Sequence, residues 1–204
     1  MKRLTLLLAT MGMALVLSAG VAFADTFNCI ANRGCTGTDG PDTLNGSTGN
    51  DSMEARQDSD ELFGNEGHDY MEGDAFAAPN NDTSTDGNDV LIAGPGHDFL
   101  TGYGGADELS GGDSGDYIFA EESSANLGED TVRGGSGSDY IEARDGVKDT
   151  INCGKGNSDN VFFDKGGVDT VANNCEYKNP DSGGELSVAA SSATTEKVNA
   201  LRAR

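Results

Sequence analysis

The chain has 204 residues, 35 acidic and 13 basic, with a formal charge of −22 at pH 7. A field of that sign excludes binding to nucleic acid or to an anionic lipid surface through bulk charge. Aromatic residues make up only 6%, and an acidic, aromatic-poor chain without pattern would be disordered.

In chain order, residues 1–24 read as a secretory signal peptide. Lys2 and Arg3 form its charged start, Leu4 to Leu17 is mostly apolar, and Ala22-Phe23-Ala24 has the small-x-small pattern of a cleavage site. The apolar run is short for a membrane span, and no transmembrane segment is expected once it is removed. Residues 25–36 are expected to cap the next region, which is an array. Thirteen aspartates recur there, each followed two residues later by an apolar residue. The first four, Asp42, Asp51, Asp60 and Asp69, are nine apart, as are Asp89, Asp98, Asp107 and Asp116, and then Asp130 and Asp139. From Asp139 through Asp149 and Asp159 to Asp169 the step is ten.

Glycine lies two residues before the aspartate in nine of the thirteen units, which marks a tight turn. Asp58, Ser114, Val147 and Asn157 replace it in the others. Gly134-Gly135-Ser136-Gly137-Ser138-Asp139-Tyr140-Ile141-Glu142 is the clearest copy. Each unit therefore reads as a turn ending in a carboxylate, then a short strand carrying one inward apolar side chain. The step of twenty from Asp69 to Asp89 leaves room for a degenerate unit around Pro79-Asn80-Asn81-Asp82, although a plain insertion is favoured. The step of fourteen from Asp116 to Asp130 is read as a surface loop at Glu121-Glu122-Ser123-Ser124.

The array is regular over residues 37–142. Residues 143–179 are read as degenerate repeats with a C-terminal cap, and the Ser/Ala/Gly/Thr-rich residues 180–204 as a disordered tail. Four cysteines in an exported chain imply two disulfides, with three pairings open. Cys29–Cys35 with Cys153–Cys175 is favoured, because each pair brackets one end of an array whose terminal coils need protection.

The repeat resembles the RTX nonapeptide family, GGxGxDxUx with U a large apolar residue. The resemblance implies an all-β, right-handed parallel β-roll in which two nonapeptides make one coil and residues eighteen apart stack. Asp42 would then stack with Asp60, Asp51 with Asp69, Asp89 with Asp107, and Asp98 with Asp116. It further implies several calcium ions between coils, held by Asp42, Asp51, Asp60, Asp69, Asp89, Asp98, Asp107, Asp116, Asp130 and Asp139 together with turn carbonyls. Electrostatics points the same way: carboxylates about 4.8 Å apart on neighbouring coils repel by roughly 3 kcal/mol at an effective dielectric of about 20. Calcium suits such oxygen-only sites, whereas zinc and copper do not, since His68 and His97 are the only histidines and no CxxC spacing occurs. The apo chain is expected to be largely unfolded.

No HExxH, GxSxG or phosphate-loop signature occurs, so a non-enzymatic, secreted calcium-binding module is the expected function. One alternative is a calcium-dependent extracellular adhesin for carbohydrate, matrix or a protein partner, using outward Phe99, Tyr117, Tyr70 and Tyr140. A further alternative is an enzyme acting on acidic polysaccharide. Threonine follows the aspartate only at Thr43, Thr131, Thr150 and Thr170, too irregularly for an ice-binding array, and no apolar pore-forming region precedes the repeats.

Overall fold

The computed structural model describes residues 24–31, 33–74, 86–120 and 127–180; the signal segment, the two interruptions and the tail named above lie outside them. Every regular element among the described residues is a short strand, and the strands come in pairs, one pair per coil. They are β1 (Asp25–Asn28) and β2 (Gly34–Thr36), β3 (Asp42–Asn45) and β4 (Ser52–Arg56), β5 (Glu61–Phe63) and β6 (Tyr70–Asp74), and β7 (Val90–Pro95) and β8 (Phe99–Thr101). The next pairs are β9 (Glu108–Asp113) and β10 (Tyr117–Phe119), β11 (Thr131–Gly137) and β12 (Tyr140–Ala143), β13 (Thr150–Gly156) and β14 (Asn160–Phe163), and β15 (Thr170–Val171) and β16 (Tyr177–Pro180). Odd strands form one eight-stranded sheet and even strands another, each in simple coil order. The pairing is parallel throughout, giving a β-solenoid.

The apolar residue of each unit stacks on its counterpart in the next coil. Leu44, Leu62, Leu91, Leu109, Val132 and Ile151 make one column, in register across the odd sheet. Met53, Met71, Leu100, Ile118, Ile141 and Val161 make the other. All twelve are fully buried between the sheets. A second inward position, two residues further on, is occupied by small side chains such as Ala55, Ala93, Ala120, Ala143 and Cys153, or by glycine, until Phe163 takes it in the last full coil. The chain crosses from one sheet to the other there, and a Cβ placed on Gly46 would fall 2.3 Å from the carbonyl oxygen of Gly64.

The turns explain why the departures from glycine are tolerated. Gly105 and Gly137 have φ of 111° and 142°, and Asp58 and Ser114, which replace glycine at the same place, still adopt left-handed values of 69° and 85°. The backbone conformation is imposed by the stack, at a steric cost those side chains bear. In the ten-residue unit ending at Asp149, Gly146 takes φ of 91° one residue before Val147.

The interruption after Asp69 hides no coil. β5 pairs directly with β7 and β6 with β8, so no strand is inserted between these coils. Beyond it, Asp86 bridges to Asp58, and Leu127 likewise bridges to Gly105 beyond the second interruption. The sheets also run past residue 142 without a break, since β13 to β16 continue both, and the N-terminal cap is itself a coil. The disulfides are Cys29–Cys35 and Cys153–Cys175, one near each end.

Phe99 stands in register with Tyr70 and Tyr117, and Tyr117 with Tyr140, on the outer side of the even sheet. Tyr70 stacks on Phe99 at 5.0 Å, and Tyr117 meets Tyr140 at 5.8 Å with the rings tilted by 34°. Phe99 is only 6% exposed, however, and Tyr117 is the open member of this column at 40%. The face forms as expected, but most of it is closed.

A Cβ at Gly105 would lie 1.5 Å from the carbonyl oxygen of Gly87. Gly105→Ala is therefore expected to lower the unfolding free energy of the folded protein by about 3 kcal/mol or more, and Ser114→Gly to raise it by about 1 kcal/mol. Thermal melts monitored by circular dichroism under identical conditions check both.

Candidate metal centre

From β4 to β15 each strand starts just after its repeat aspartate, and β3 starts at Asp42, so period and register together place one carboxylate per turn along each edge of the solenoid. One row runs Asp42, Asp60, Asp89, Asp107, Asp130, Asp149 and Asp169; the other runs Asp51, Asp69, Asp98, Asp116, Asp139 and Asp159. All thirteen are buried. Expected neighbours eighteen apart are neighbours here, while Asp60 with Asp89 and Asp69 with Asp98 are brought together across 29 residues because no strand is inserted between their coils.

The rows are hydrogen-bonded ladders. The backbone N–H of each aspartate donates to Oδ1 of the aspartate in the following coil, as from Asp89 to Asp107 at 2.8 Å and from Asp98 to Asp116 at 2.9 Å. At the C-terminal end the N–H of Asp159 donates to Oε2 of Glu176 at 3.1 Å, so a glutamate closes one row.

The second oxygen behaves differently along the stack. Near the ends it is satisfied by the protein. Oδ2 of Asp42 accepts from the Thr38 N–H at 2.5 Å and hydroxyl at 3.0 Å, and Oδ2 of Asp51 from the Ser47 N–H at 2.6 Å and hydroxyl at 2.9 Å. Oδ2 of Asp169 accepts from the Asp164 N–H at 2.6 Å. In the interior, Oδ2 of Asp60, Asp69, Asp89, Asp98, Asp107, Asp116, Asp139 and Asp149 is buried with no hydrogen-bond donor, and so is that of Asp159, the last aspartate of its row. Leaving a buried acceptor unmade costs about 1–3 kcal/mol, and more for a charged one.

These oxygens face other oxygens. A Cβ on Gly111 would meet Oδ2 of Asp116 at 2.3 Å and the Gly134 carbonyl at 2.6 Å; one on Gly134 would meet Oδ2 of Asp139 at 2.4 Å and the Cys153 carbonyl at 2.7 Å. The same cradle recurs at Gly64, between Oδ2 of Asp69 and the Ala93 carbonyl, both at 2.5 Å. Absence of a side chain at these positions leaves a space bounded by a carboxylate oxygen and a carbonyl from the next coil. The cations of Arg56, Arg133, Arg144 and Lys148 form ion pairs with Asp39, Glu108, Glu142 and Glu129.

Among the described residues, no three His, Cys, Asp or Glu side chains gather to hold a metal by themselves. One carboxylate per coil supplemented by carbonyls suits calcium, a hard ion that takes six to eight oxygens in loose geometry. It does not suit zinc, which needs four convergent nitrogen, sulfur or carboxylate ligands. The donor set therefore fits calcium, best in the interior and least at Asp42, whose Oδ1 also accepts, from the Asp25 N–H at 3.2 Å.

Burial above all pushes these acids up from 3.8: Asp89 to about 9, Asp116 and Asp149 to about 8, and Asp60, Asp69 and Asp107 to about 7. Neighbouring carboxylates add to the rise, and the ladder hydrogen bonds oppose it.

Four acids in this arrangement were not among the expected ligands: Asp169, whose Oδ2 is satisfied by Asp164, and Asp149, Asp159 and Asp74. Asp149 and Asp159 continue the rows with the same bare Oδ2, and their only sequence signal is the apolar residue two places later, since glycine is missing before them. Asp74 is buried with a bare Oδ1 and has no repeat signal at all.

The model of the RTX calcium-binding nonapeptide repeat family (4 copies) matches residues 36–75, 83–118 and 124–158. No curated protein and no solved structure matches the chain.

Because the folded-state values lie above the unfolded one, the metal-free fold binds more protons than the unfolded chain. That contribution to stability is full below about pH 4 and is lost as the pH rises through 6 to 9. Far-UV circular dichroism in chelator is accordingly expected to show β-structure growing as the pH falls from 8 to 4; a spectrum independent of pH would contradict this assignment of the buried acids.

Proposed function

Since the chain belongs to the RTX calcium-binding nonapeptide-repeat family, we propose that it is a secreted, non-enzymatic module whose coils close when calcium fills the spaces between them. The observation that carries this reading is the split use of each interior carboxylate: Oδ1 is committed to the ladder and Oδ2 is buried without a donor. Bound calcium would supply the positive charge that lets neighbouring carboxylates remain ionised side by side. The chain's own groups do the rest. The ladder fixes the height of each coil, the glycine cradle brings a carbonyl to the carboxylate, and the leucine, methionine and isoleucine columns exclude water from behind it.

Secretion is supported by the leader-like residues 1–24 and by the two disulfides, which persist in oxidising surroundings. Outside the cell, calcium modules work at about 10⁻⁴–10⁻³ M. A chain that stays unfolded at low calcium and folds on arrival outside would use the ion gradient as its folding signal. Adhesion to carbohydrate or matrix is the second reading, favoured by the exposed Tyr117 beside Tyr140. Loss of glycan retention in Tyr117→Ala with folding intact would support it, and unchanged retention would remove it.

Titration of the disulfide-intact chain from chelator into calcium is expected to give a cooperative coil-to-β transition that magnesium does not reproduce. Asp116→Asn should raise the calcium midpoint, by up to the about 2.7 kcal/mol that one site contributes at about 100 times its dissociation constant. An equal β spectrum in chelator at pH 7.5 would overturn the proposal. Lowering the pH from 8 to 6 should raise the midpoint by about tenfold per unit for each proton an ion displaces.

A further inference from the structure

One buried carboxylate occupies no repeat position. Asp74 follows Gly73 at the end of β6, five residues after Asp69, and is 1% exposed. Its Oδ2 accepts the Gly87 N–H at 3.2 Å, and its own N–H donates to the Gly102 carbonyl at 3.4 Å. Its Oδ1 is buried with no hydrogen-bond partner.

Asp89 reaches the same place from the far side of the interruption. A Cβ on Gly73 would lie 2.1 Å from Oδ2 of Asp89, itself buried and without a donor, and 2.9 Å from the carbonyl oxygen of Gly102. A bare carboxylate oxygen of Asp89 and a carbonyl thus bound the space at Gly73, and Asp89 is the foremost neighbouring charge acting on the bare carboxylate of Asp74, the next residue along the chain. Arg56 stands in register with Asp74 on the adjacent strand, but its guanidinium lies 3.0 Å from Asp39.

We propose that Asp74 is a ligand for a hard divalent cation, shared with Asp89 and the Gly102 carbonyl, and that this doubled charge makes the site the one that fills at the lowest calcium. Affinity in all-oxygen sites rises with the number of charged ligands, which sets the order of filling. The position gives the site a second consequence. Asp74 ends β6 and Gly87, which it holds, leads into β7, so the ion would tie these two described segments together. The inference rests on the calcium reading above.

The test is a calcium titration of the full-length, disulfide-intact chain, with folding followed by circular dichroism and the tightest dissociation constant by competition with a chromophoric chelator. Wild type is compared with Asp74→Asn, Asp74→Glu and, as a charge control, Asp113→Asn, an exposed aspartate outside the rows. Asp74→Asn keeps the shape and can still accept from Gly87, yet loses the charge. It is expected to weaken the tightest constant at least tenfold, with Asp113→Asn within twofold of wild type. Asp74→Glu, which keeps the charge one methylene further out, should fall between wild type and Asp74→Asn. A tightest constant within twofold of wild type in Asp74→Asn, or tighter, would overturn the proposal and leave Asp74 as a buried neutral acid. So would Asp74→Glu being the more damaging of the two, as packing alone dictates; this ranking holds as a test by folding midpoint where Asp74→Asn does not fold. A wild-type chain indifferent to calcium would instead defeat the calcium reading itself.

Discussion

Each interior aspartate divides its carboxylate between two tasks. Oδ1 accepts the N–H of the corresponding aspartate in the preceding coil, and that bond sets where the next coil can sit. Such a bond from a buried N–H to a carboxylate is stronger than a neutral one, and it repeats at every turn. The remaining oxygen has then no freedom to turn toward water or toward another donor. It stays buried, facing the carbonyl of a neighbouring coil, with like charges above and below. The same geometry that builds the stack thus leaves it with an unmet charge.

The narrowness of the interior follows from that constraint. With successive carboxylates of each row only one coil apart, the sheets close over one large side chain per strand, and the crossing point behind it holds glycine, alanine or cysteine from Gly46 to Cys153. Where the cradle is glycine, the missing Cβ is the space in which carboxylate and carbonyl oxygens approach each other. The apolar columns contribute burial, yet they are thin, and a thin core cannot by itself offset rows of desolvated carboxylates.

The ends of the solenoid resolve the difficulty with protein groups. Thr38 and Ser47 give N–H and hydroxyl donors to the first carboxylates, Asp164 donates to Asp169, and Glu176 accepts the last ladder bond of its row. The disulfides hold the same regions. Stability at the ends is covalent and hydrogen-bonded, while in the middle it depends on compensating charge.

The sequence by itself determined the period, the strand-per-unit plan, the twelve core residues and the rows of carboxylates, because each of these is a local property repeated along the chain. Asp42 through Asp139 were legible from the spacing of aspartate and apolar partner, with glycine two places before all but Asp60 and Asp116. Tertiary structure decided which carboxylates are neighbours, since Asp60 meets Asp89 across 29 residues where β5 pairs directly with β7. It also decided between the three cysteine pairings, closed Phe99 against its neighbours while leaving Tyr117 open, and buried Asp74 beside Asp89. Spacing along a chain specifies a unit's own geometry, but contacts between coils depend on parallel register, which interruptions can alter without any change in the repeat itself.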